Sequence, residues 1–257
     1  MSAPLFSEVK AIYFDLDDTL CQYWEAARTG LYLTFDQLKP DGFTTEEMVQ
    51  LWAKAFRSFL KEVKHPDWYG RYLKHGESTR TEQMRRTLAE AGIVDEEHAQ
   101  KLSQTYMEER DRLLTLFEDS LEVLDLLKPR YPMGLITNGP ADVQRQEIAT
   151  LGIESYFESI LIEGEMGEGK PNQTVFRRAE ECIGASGAHV LFVGNSYAHD
   201  IRPAIEAGWR TAWIRRPTDI PPSAGPGGSA VEVKPDDAPE PDVTIGNLRE
   251  LLPLLGL

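Results

Sequence analysis

Three acidic residues directly follow an apolar run near the start of the chain. The run 9–14 is rich in β-branched and aromatic side chains, which is typical of a buried parallel strand, and Asp15, Asp17 and Asp18 come after it. Parallel strands present ligand-binding residues at their carboxyl ends. Residues two apart on an extended chain point the same way, so Asp15 and Asp17 could face one site if the extension continues through Leu16.

Two carboxylates at one strand end raise each other's pKa unless a cation or a shared proton separates them. A hard cation such as Mg2+ would leave Asp15 free to attack an electrophile, and an aspartyl phosphate is a known covalent intermediate of phosphoryl chemistry. Asp17 could then protonate the leaving alkoxide and later deprotonate water. The structural alternative is an acidic turn that caps a helix through Asp18 or Thr19.

The composition limits the classes of partner. The chain has 257 residues, 41% of them hydrophobic, which is enough for one large α/β domain or a core with a smaller module. Its net charge of −15 argues against nucleic-acid and membrane partners, so an anionic substrate needs a local positive site. The N-terminal residues lack the features of a signal peptide, so we expect a cytoplasmic protein. The two cysteines, Cys21 and Cys182, do not have the spacing of metal ligands.

The pattern of apolar residues divides the chain into two parts. Residues 22–117 have helical periodicity, with helices predicted at about 44–59, 79–91 and 95–117, and we expect an inserted helical domain there. After it, strands alternate with helices, which predicts a parallel sheet with right-handed crossovers. The predicted strands are 133–137, 159–162, 189–193, 211–214 and 242–245. The Pro- and Gly-rich stretch 217–241, including Gly225, Gly227 and Gly228, predicts a surface excursion.

Polar residues also follow later strands of the predicted sheet. Thr137 and Asn138 end one strand, Lys170 precedes a proline in a glycine-rich loop, and Asn195 and Asp200 follow another strand. Each is an ordinary turn residue by itself. Together they indicate one site, in which a hydroxyl and backbone N–H groups bind an anion and the lysine supplies positive charge.

These four sets of residues resemble the motifs of the haloacid dehalogenase superfamily of phosphohydrolases. They are 15–20 (DLDDTL), 135–139 (LITNG), 170–171 (KP) and 193–200 (VGNSYAHD). The match covers nearly the whole chain in order. It implies an α/β fold with a Rossmann-like core, 1–21 and 118–257, and a mobile α-helical cap, 22–117, inserted between the first two motifs.

The resemblance also implies a reaction, the Mg2+-dependent hydrolysis of a small phosphorylated metabolite through an aspartyl phosphate. Asp15 would be the nucleophile and a Mg2+ ligand, and Asp17 the general acid and base, with its backbone carbonyl on the metal. Thr137 and the N–H of Asn138 would hold phosphoryl oxygens, while Lys170 balances the charge.

Asn195 and Asp200 would complete the metal site, and Asp200 would also orient Lys170 or a metal-bound water. The family usually has Asp where this chain has Asn195. An amide brings no charge to the ion, so the sequence predicts weak Mg2+ binding that Asn195→Asp would tighten.

The core motifs contact only the phosphoryl group, so the cap is expected to select the substrate and to exclude water when it closes. The residues expected to contact the leaving group are Tyr23, Trp24 and Arg28, together with Tyr69 and Arg71 of an expected loop.

Two alternatives stay open, and a third, a receiver-type domain, is disfavoured. A 2-haloacid dehalogenase uses the equivalent of Asp15 but generally lacks the carboxylate two residues on and needs no metal, so Asp17 favours a phosphatase. Asn195 leaves room for a catalytically weak phosphate-binding or interaction protein. A receiver-type signalling domain needs neither Asp17 nor a helical insertion. Fold and family do not fix the substrate.

Overall fold

The computed structural model describes residues 3–224 and 232–257. At its centre is a parallel sheet of six strands in the order β3-β2-β1-β4-β5-β6. The strands are β1 (Ala11–Phe14), β2 (Met133–Thr137), β3 (Ser159–Ile162), β4 (Val190–Gly194), β5 (Arg210–Ile214) and β6 (Val243–Ile245). The predicted α/β class is confirmed. Since β1 lies between β2 and β4, the residues that follow these three strands meet at one edge.

Side chains from alternate strand positions pack on opposite faces of the sheet. Ile12 and Phe14 belong to one apolar cluster, and Tyr13 belongs to another with Phe176 and Trp209. Because helices cover both faces, β1, β2 and β4 are buried along their whole length. This double burial explains why the strands appear in the sequence as unbroken apolar runs.

Five helices lie between β1 and the core helix α6 (Ser120–Leu127). They are α1 (Tyr23–Leu38), α2 (Thr45–Phe59), α3 (Pro66–Lys74), α4 (Gly76–Glu90) and α5 (Glu96–Leu113). They bury an apolar cluster of their own that includes Leu31, Met48 and Leu102. The helical insertion is therefore confirmed, whereas the domain limits at 21/22 and 117/118 stay a prediction.

Two local expectations within the insertion need correction. Tyr69 and Arg71 were expected in a loop but lie in α3, because Pro66 occupies a position where its missing N–H costs nothing and the His65 side chain accepts from the N–H of Asp67. The helix expected to continue to residue 117 ends at Leu113, where the chain turns extended. By contrast, α2 begins with the predicted capping box between Thr44 and Glu47.

The remaining helices of the core alternate with its strands. They are α7 (Ala141–Leu151), α8 (Glu163–Met166), α9 (Gln173–Ile183), a π-helical turn (Tyr197–Ile201), α10 (Arg202–Glu206) and α11 (Leu251–Leu254). Gly225, Gly227 and Gly228 of the predicted excursion lie outside the described residues. The part before them contacts the insertion, since Arg57 Nη1 donates to the carbonyl of Ser223 at 2.8 Å. No described helix is both long and apolar enough to cross a membrane.

Candidate active site

The structure brings Asp15, Lys170 and Asp200 into direct contact at the carboxyl edge of the sheet. The N–H of Asp15 donates to the carbonyl of Val193, which fixes the residue between β1 and β4. Lys170 Nζ lies 2.6 Å from Asp15 Oδ1 and 2.7 Å from Asp200 Oδ1. All three side chains are buried. One buried ammonium group therefore bridges two carboxylates from different loops.

Burial and neighbouring charges shift the pKa values of these side chains in opposite directions. Removal from water raises the pKa of Asp15 to about 6, although the Lys170 ammonium opposes the rise. Burial alone would lower the pKa of Lys170, but Asp15 and Asp200 together raise it. Lys170 is therefore a permanent cation, the local positive charge that an anionic substrate requires in a chain of such negative net charge.

Asn138 fixes the position of Lys170 through the backbone. Its Nδ2 donates to the carbonyl of Lys170, and its Oδ1 accepts the N–H of Lys170, both at 2.8 Å. This reciprocal pair joins the loop after β2 to the loop that contains the lysine. The side chain of Asn138 is thus occupied in positioning, a use that the motif itself does not reveal.

Gln144 connects Thr137 to Asp17, a connection the sequence reasoning missed. Thr137 Oγ1 donates to Gln144 Oε1 at 2.5 Å, and Gln144 Nε2 lies 3.3 Å from Asp17 Oδ2 and 2.9 Å from Glu147 Oε2. The available signal was a polar residue on the face of α7 that packs on the core, where Val143 and Ile148 are also buried.

Asp17 lies beside other acids. Its pKa is raised well above its usual range by removal from water and then by Glu147 and Asp15. A carboxyl group of this kind can hold a proton near neutral pH, as a general acid must.

Asp18 contacts the backbone at the start of α1 and not the groups around Asp17. It adopts a left-handed backbone conformation with φ of 55°, and its carboxylate accepts the N–H of Trp24 near the start of α1. Burial raises the pKa of Asp18 to about 9, with Asp219 adding to the rise. The helix-capping alternative therefore applies to Asp18, while Asp15 and Asp17 face the site.

Asn195 has an acidic neighbour that no motif signalled. Its Nδ2 donates to Asp219 Oδ2 at 3.0 Å, while its Oδ1 lies 3.5 Å from Thr19 Oγ1. Thr19 also donates to Asp15 Oδ2 at 3.2 Å. Asp219 comes from the segment after β5, so it adds negative charge beside Asn195 from a distant part of the sequence.

The carboxylate of Asp200 contacts both Lys170 and the backbone of the turn that contains Asp200. Its Oδ2 accepts the N–H of Ser196 at 2.9 Å. This packing depends on Gly194, where a Cβ atom would stand only 2.4 Å from Asp200 Oδ2. The glycine at the end of β4 thus leaves the space in which the carboxylate reaches Lys170.

The donor set suits a hard cation. Asp15 Oδ2 and Asn195 Oδ1 both lie near the hydroxyl of Thr19, and both are oxygen ligands of the kind that Mg2+ prefers. Across residues 3–224 and 232–257, no three carboxylate, imidazole or thiol side chains converge as a metal cluster. A cation here would therefore depend on the amide of Asn195 and on backbone oxygen besides Asp15.

The predicted substrate-selecting residues lie in different places. A cavity of about 390 Å³ between the insertion and the core is lined by Asp17 with Tyr23 and Trp24. Tyr69 lines a second cavity beside Lys170. Arg28 pairs with Glu25 and with the carbonyl of Ile220.

Arg71 lies in surroundings that contain no motif residue. It lines a third cavity among helices α3 to α5, and none of the four motifs contributes to that cavity. Its guanidinium lies over the ring of Trp68.

Glu163 joins the insertion to the loop after β2. It is buried, forms an ion pair with Lys64, and accepts hydrogen bonds from Tyr69 at 2.9 Å and Tyr72 at 3.4 Å. The N–H of Gly139 donates to the same carboxylate at 3.0 Å. The contact therefore links α3 to the predicted phosphate-binding loop.

Comparison with known proteins agrees with this geometry. The N-acylneuraminate-9-phosphatase of Rattus norvegicus is 28% identical over 223 residues, which cover 86% of this chain and 88% of that protein. The magnesium-bound structure of the HAD-hydrolase YfnB from Bacillus subtilis superposes with a TM-score of 0.70 at 21% identity, covering 97% and 99% of the two chains.

A dehalogenase has the same fold. The 2-haloacid dehalogenase from Pseudomonas syringae pv. Tomato DC3000 has a TM-score of 0.62 at 25% identity, covering 96% of this chain and 98% of that one. The family model for haloacid dehalogenase-like hydrolases matches residues 9–208, a span that contains all four motifs. The chain therefore belongs to the haloacid dehalogenase-like hydrolase family.

Proposed function

We propose that this hydrolase is a Mg2+-dependent phosphatase that cleaves a small phosphorylated metabolite through an aspartyl phosphate on Asp15. The supporting observation is the buried contact of Lys170 with both Asp15 and Asp200, next to an acid, Asp17, with a raised pKa. The relative named for N-acylneuraminate 9-phosphate supports a phosphorylated metabolite as substrate. The excess of acidic residues supports a partner other than nucleic acid or membrane, and a cytoplasmic location remains part of the proposal.

Each residue has a defined part in the proposed reaction. Asp15 attacks phosphorus, so a P–O bond to its carboxylate forms as the ester P–O bond breaks, and the proton on Asp17 passes to the leaving alkoxide. Asp17 then removes a proton from the water that hydrolyses the acyl phosphate. Thr137, the N–H of Asn138 and the ammonium of Lys170 stabilise the phosphoryl oxygens.

The cation belongs to the same proposal. Asp15, the backbone carbonyl of Asp17 and the amide oxygen of Asn195 would hold Mg2+, with Asp200 nearby on Lys170. When bound, Mg2+ neutralises charge on the transferring phosphoryl group. The magnesium-bound structure of YfnB, which shares the fold, supports this choice of ion.

The decisive experiment replaces the nucleophile. Asp15→Asn keeps the side-chain volume but removes the attacking carboxylate, so Mg2+-dependent hydrolysis of p-nitrophenyl phosphate should fall to below a few per cent of wild type. Asp125→Asn, at an exposed position on α6, is the matched control and should keep full activity. Equal melting temperatures would show that both variants fold. Substantial turnover by Asp15→Asn would refute covalent catalysis by this residue.

The similarity to a 2-haloacid dehalogenase supports a second candidate. A dehalogenase would release halide from 2-chloropropionate without Mg2+, and it would have no use for a protonated Asp17. Measuring halide and phosphate release with the same preparation separates the two activities. Binding of inorganic phosphate without either activity would instead favour a phosphate-binding protein.

A further inference from the structure

Gln144 of α7 connects groups from three parts of the site. Its Oε1 accepts from Thr137 Oγ1 at 2.5 Å, and its Nε2 donates to Asp17 Oδ2 at 3.3 Å and to Glu147 Oε2 at 2.9 Å. The side chain is only 3% exposed. Both N–H groups of the amide and one lone pair of its oxygen therefore have partners. A buried side chain held at three points keeps one conformation and fixes the groups that it contacts.

The direction of these hydrogen bonds follows from the two carboxyl groups. Nε2 lies against oxygens of both Asp17 and Glu147, and the reverse orientation of the amide would place its own oxygen against them. The nitrogen therefore faces the acids, and Oε1 faces Thr137. Because Oε1 can only accept, the hydroxyl of Thr137 donates its single proton to Gln144.

The turn after β2 leaves room for this arrangement. Gly139 has a φ of 141°, a region that favours glycine, and a Cβ atom there would stand 3.0 Å from Cγ and 3.1 Å from Nε2 of Gln144. The amide thus passes close against the backbone of the predicted phosphate-binding loop. A larger residue in place of Gly139 would press on the amide that contacts Asp17 and Thr137.

The hydrogen bond from Thr137 to Gln144 competes with the role proposed for Thr137. A threonine hydroxyl has one proton, so it cannot donate to Gln144 and to a phosphoryl oxygen at the same time. When phosphate binds, the hydroxyl must rotate away, and Oε1 of Gln144 loses its donor. Since the same amide holds Asp17, one side chain links the hydroxyl of Thr137 to the position of Asp17.

We infer that Gln144 is a positioning residue that holds the carboxyl group of Asp17 for proton transfer and restrains the hydroxyl of Thr137 until phosphate binds. The inference rests on the proposed phosphatase function, because Gln144 acts through the proposed proton donor and the proposed phosphate-binding hydroxyl. Gln144 therefore has two opposite effects. Without its amide, proton transfer to the leaving group is slower, whereas phosphate binds more tightly.

Gln144→Met tests the effect on proton transfer, because methionine is an unbranched side chain of similar length without an amide. The measured ratio is kcat/KM for glycerol 3-phosphate divided by kcat/KM for p-nitrophenyl phosphate. Glycerol needs a proton to leave and p-nitrophenolate does not, so the ratio should fall by about tenfold or more. Gln50→Met, the same exchange at an exposed position of α2, is the control and should leave the ratio unchanged.

Binding of inorganic phosphate tests the link to Thr137 without any turnover. Calorimetric titration in the presence of Mg2+ should give a severalfold lower dissociation constant for Gln144→Met than for wild type, since no hydrogen bond to Gln144 has to break first. General loosening of the site would weaken phosphate binding instead. A merely structural role of Gln144 therefore does not produce slower proton transfer together with tighter phosphate binding.

A double-mutant cycle shows whether Gln144 acts through Asp17. In the Asp17→Asn background, Gln144→Met should lower kcat/KM for glycerol 3-phosphate by less than about twofold, because the carboxyl group that Gln144 positions is already gone. A full tenfold loss in that background would overturn the role of Gln144 on Asp17.

The outcomes separate this inference from the proposed function. An unchanged ratio in Gln144→Met would refute the positioning of Asp17, and unchanged or weaker phosphate binding would refute the restraint on Thr137. If wild type hydrolyses neither ester, the proposed function is overturned, and the phosphate titration still decides the link to Thr137. If Gln144→Met does not fold, Gln144→Asn replaces it in each measurement, because its shorter amide cannot reach Asp17 and Thr137 together. The same changes are expected from Gln144→Asn, and wild-type values in both measurements would refute the inference.

Discussion

The proposed chemistry depends on how individual side chains share charge. Lys170 contacts two buried carboxylates at once, whereas Asp17 lies among acids and contacts an amide rather than a cation. Two aspartates separated by one residue therefore have different surroundings. Different surroundings are what allow one carboxylate to act as nucleophile and the other as acid.

The first prediction at this scale concerns Asp17. Asp17→Asn removes the proton donor, so hydrolysis of an alkyl phosphate such as glycerol 3-phosphate should slow by about 100-fold or more. p-Nitrophenolate leaves without a proton, so formation of the phospho-enzyme from p-nitrophenyl phosphate should be affected less. Burst kinetics separate this step from hydrolysis of the intermediate. Equal rates for variant and wild type on both esters would exclude the acid–base role.

The second prediction concerns Asn195 and Asp219, whose Nδ2 and Oδ2 atoms are 3.0 Å apart. Asp219→Asn removes the nearby negative charge, and it should weaken Mg2+ binding severalfold, since a unit charge at about 4 Å contributes ~1 to 4 kcal/mol. Asn195→Asp alone would place two carboxylates against each other, and a proton shared between them would compete with Mg2+ and oppose the tighter binding expected from the sequence. The double exchange Asn195→Asp with Asp219→Asn restores an amide–carboxylate pair and should recover the affinity.

Calorimetric titration of Mg2+ into the four proteins measures these affinities without any turnover. An unchanged dissociation constant in Asp219→Asn would show that this carboxylate does not act on the ion. A double variant that binds no better than the weaker single variant would argue against direct coupling of the two positions.

At the scale of elements, helices α5 and α7 join the insertion to the core through buried charges. In α5, Arg110 Nη2 lies 3.3 Å from Glu147 Oε1 of α7, and both side chains are almost fully buried. Burial raises the pKa of Glu147 to about 7, although Arg110 opposes the rise. The contact therefore includes an acid that is costly to ionise at neutral pH.

This cost gives a pH-dependent stability. Because the folded pKa of about 7 exceeds the ordinary value of 4.5, Glu147 contributes stability that is full below pH 4.5 and is lost as pH rises through 7. Glu147→Gln removes this loss, so between pH 5 and pH 8 the variant should gain about 2.5 kcal/mol relative to wild type. Urea unfolding at both pH values measures the difference, with the exposed Glu158→Gln as control. Parallel pH profiles for all three proteins would contradict the assignment.

At the scale of the whole molecule, a buried ion pair holds four distant segments together. Arg216, after β5, donates to both oxygens of Asp119, before α6, at 2.9 and 3.0 Å. Arg216 also donates to the carbonyl of Thr19 at 3.0 Å, and Asp119 accepts the N–H of Leu248 at 2.6 Å. The pair thereby fixes the loop after β1, which contains Asp15 and Asp17, to the last segments of the chain.

Breaking this pair should destabilise the fold. Asp119→Ala leaves a buried arginine and an N–H without their acceptor, so the free energy of unfolding should fall by about 3 to 5 kcal/mol. Asp41→Ala, at an exposed position whose side chain makes no hydrogen bond or ion pair with the described residues, should change it by less than about 0.5 kcal/mol. Denaturant unfolding of both variants makes the comparison. Similar small losses in the two would mean that the Asp119 pair does not hold the segments together.

The sequence by itself determined the strands, the helical insertion and the order of the motifs. Buried strands such as β1 and β4 are visible as apolar runs, and helix starts such as Thr44 depend on residues only three apart. These signals are local, so they survive without any knowledge of the fold. Asp15, Lys170 and Asp200 could likewise be assigned to one edge, because the carboxyl ends of neighbouring parallel strands must meet there.

Only the tertiary structure decided which side chains surround those motifs. Asp219 beside Asn195 and Gln144 between Thr137 and Asp17 have no local pattern, since each contacts a residue distant in sequence. Arg71 shows the converse, because a residue plausible by type and position lies on a cavity without any motif residue. Such contacts depend on how helices pack on the sheet, and that packing is the sum of many long-range interactions that no short stretch of sequence contains.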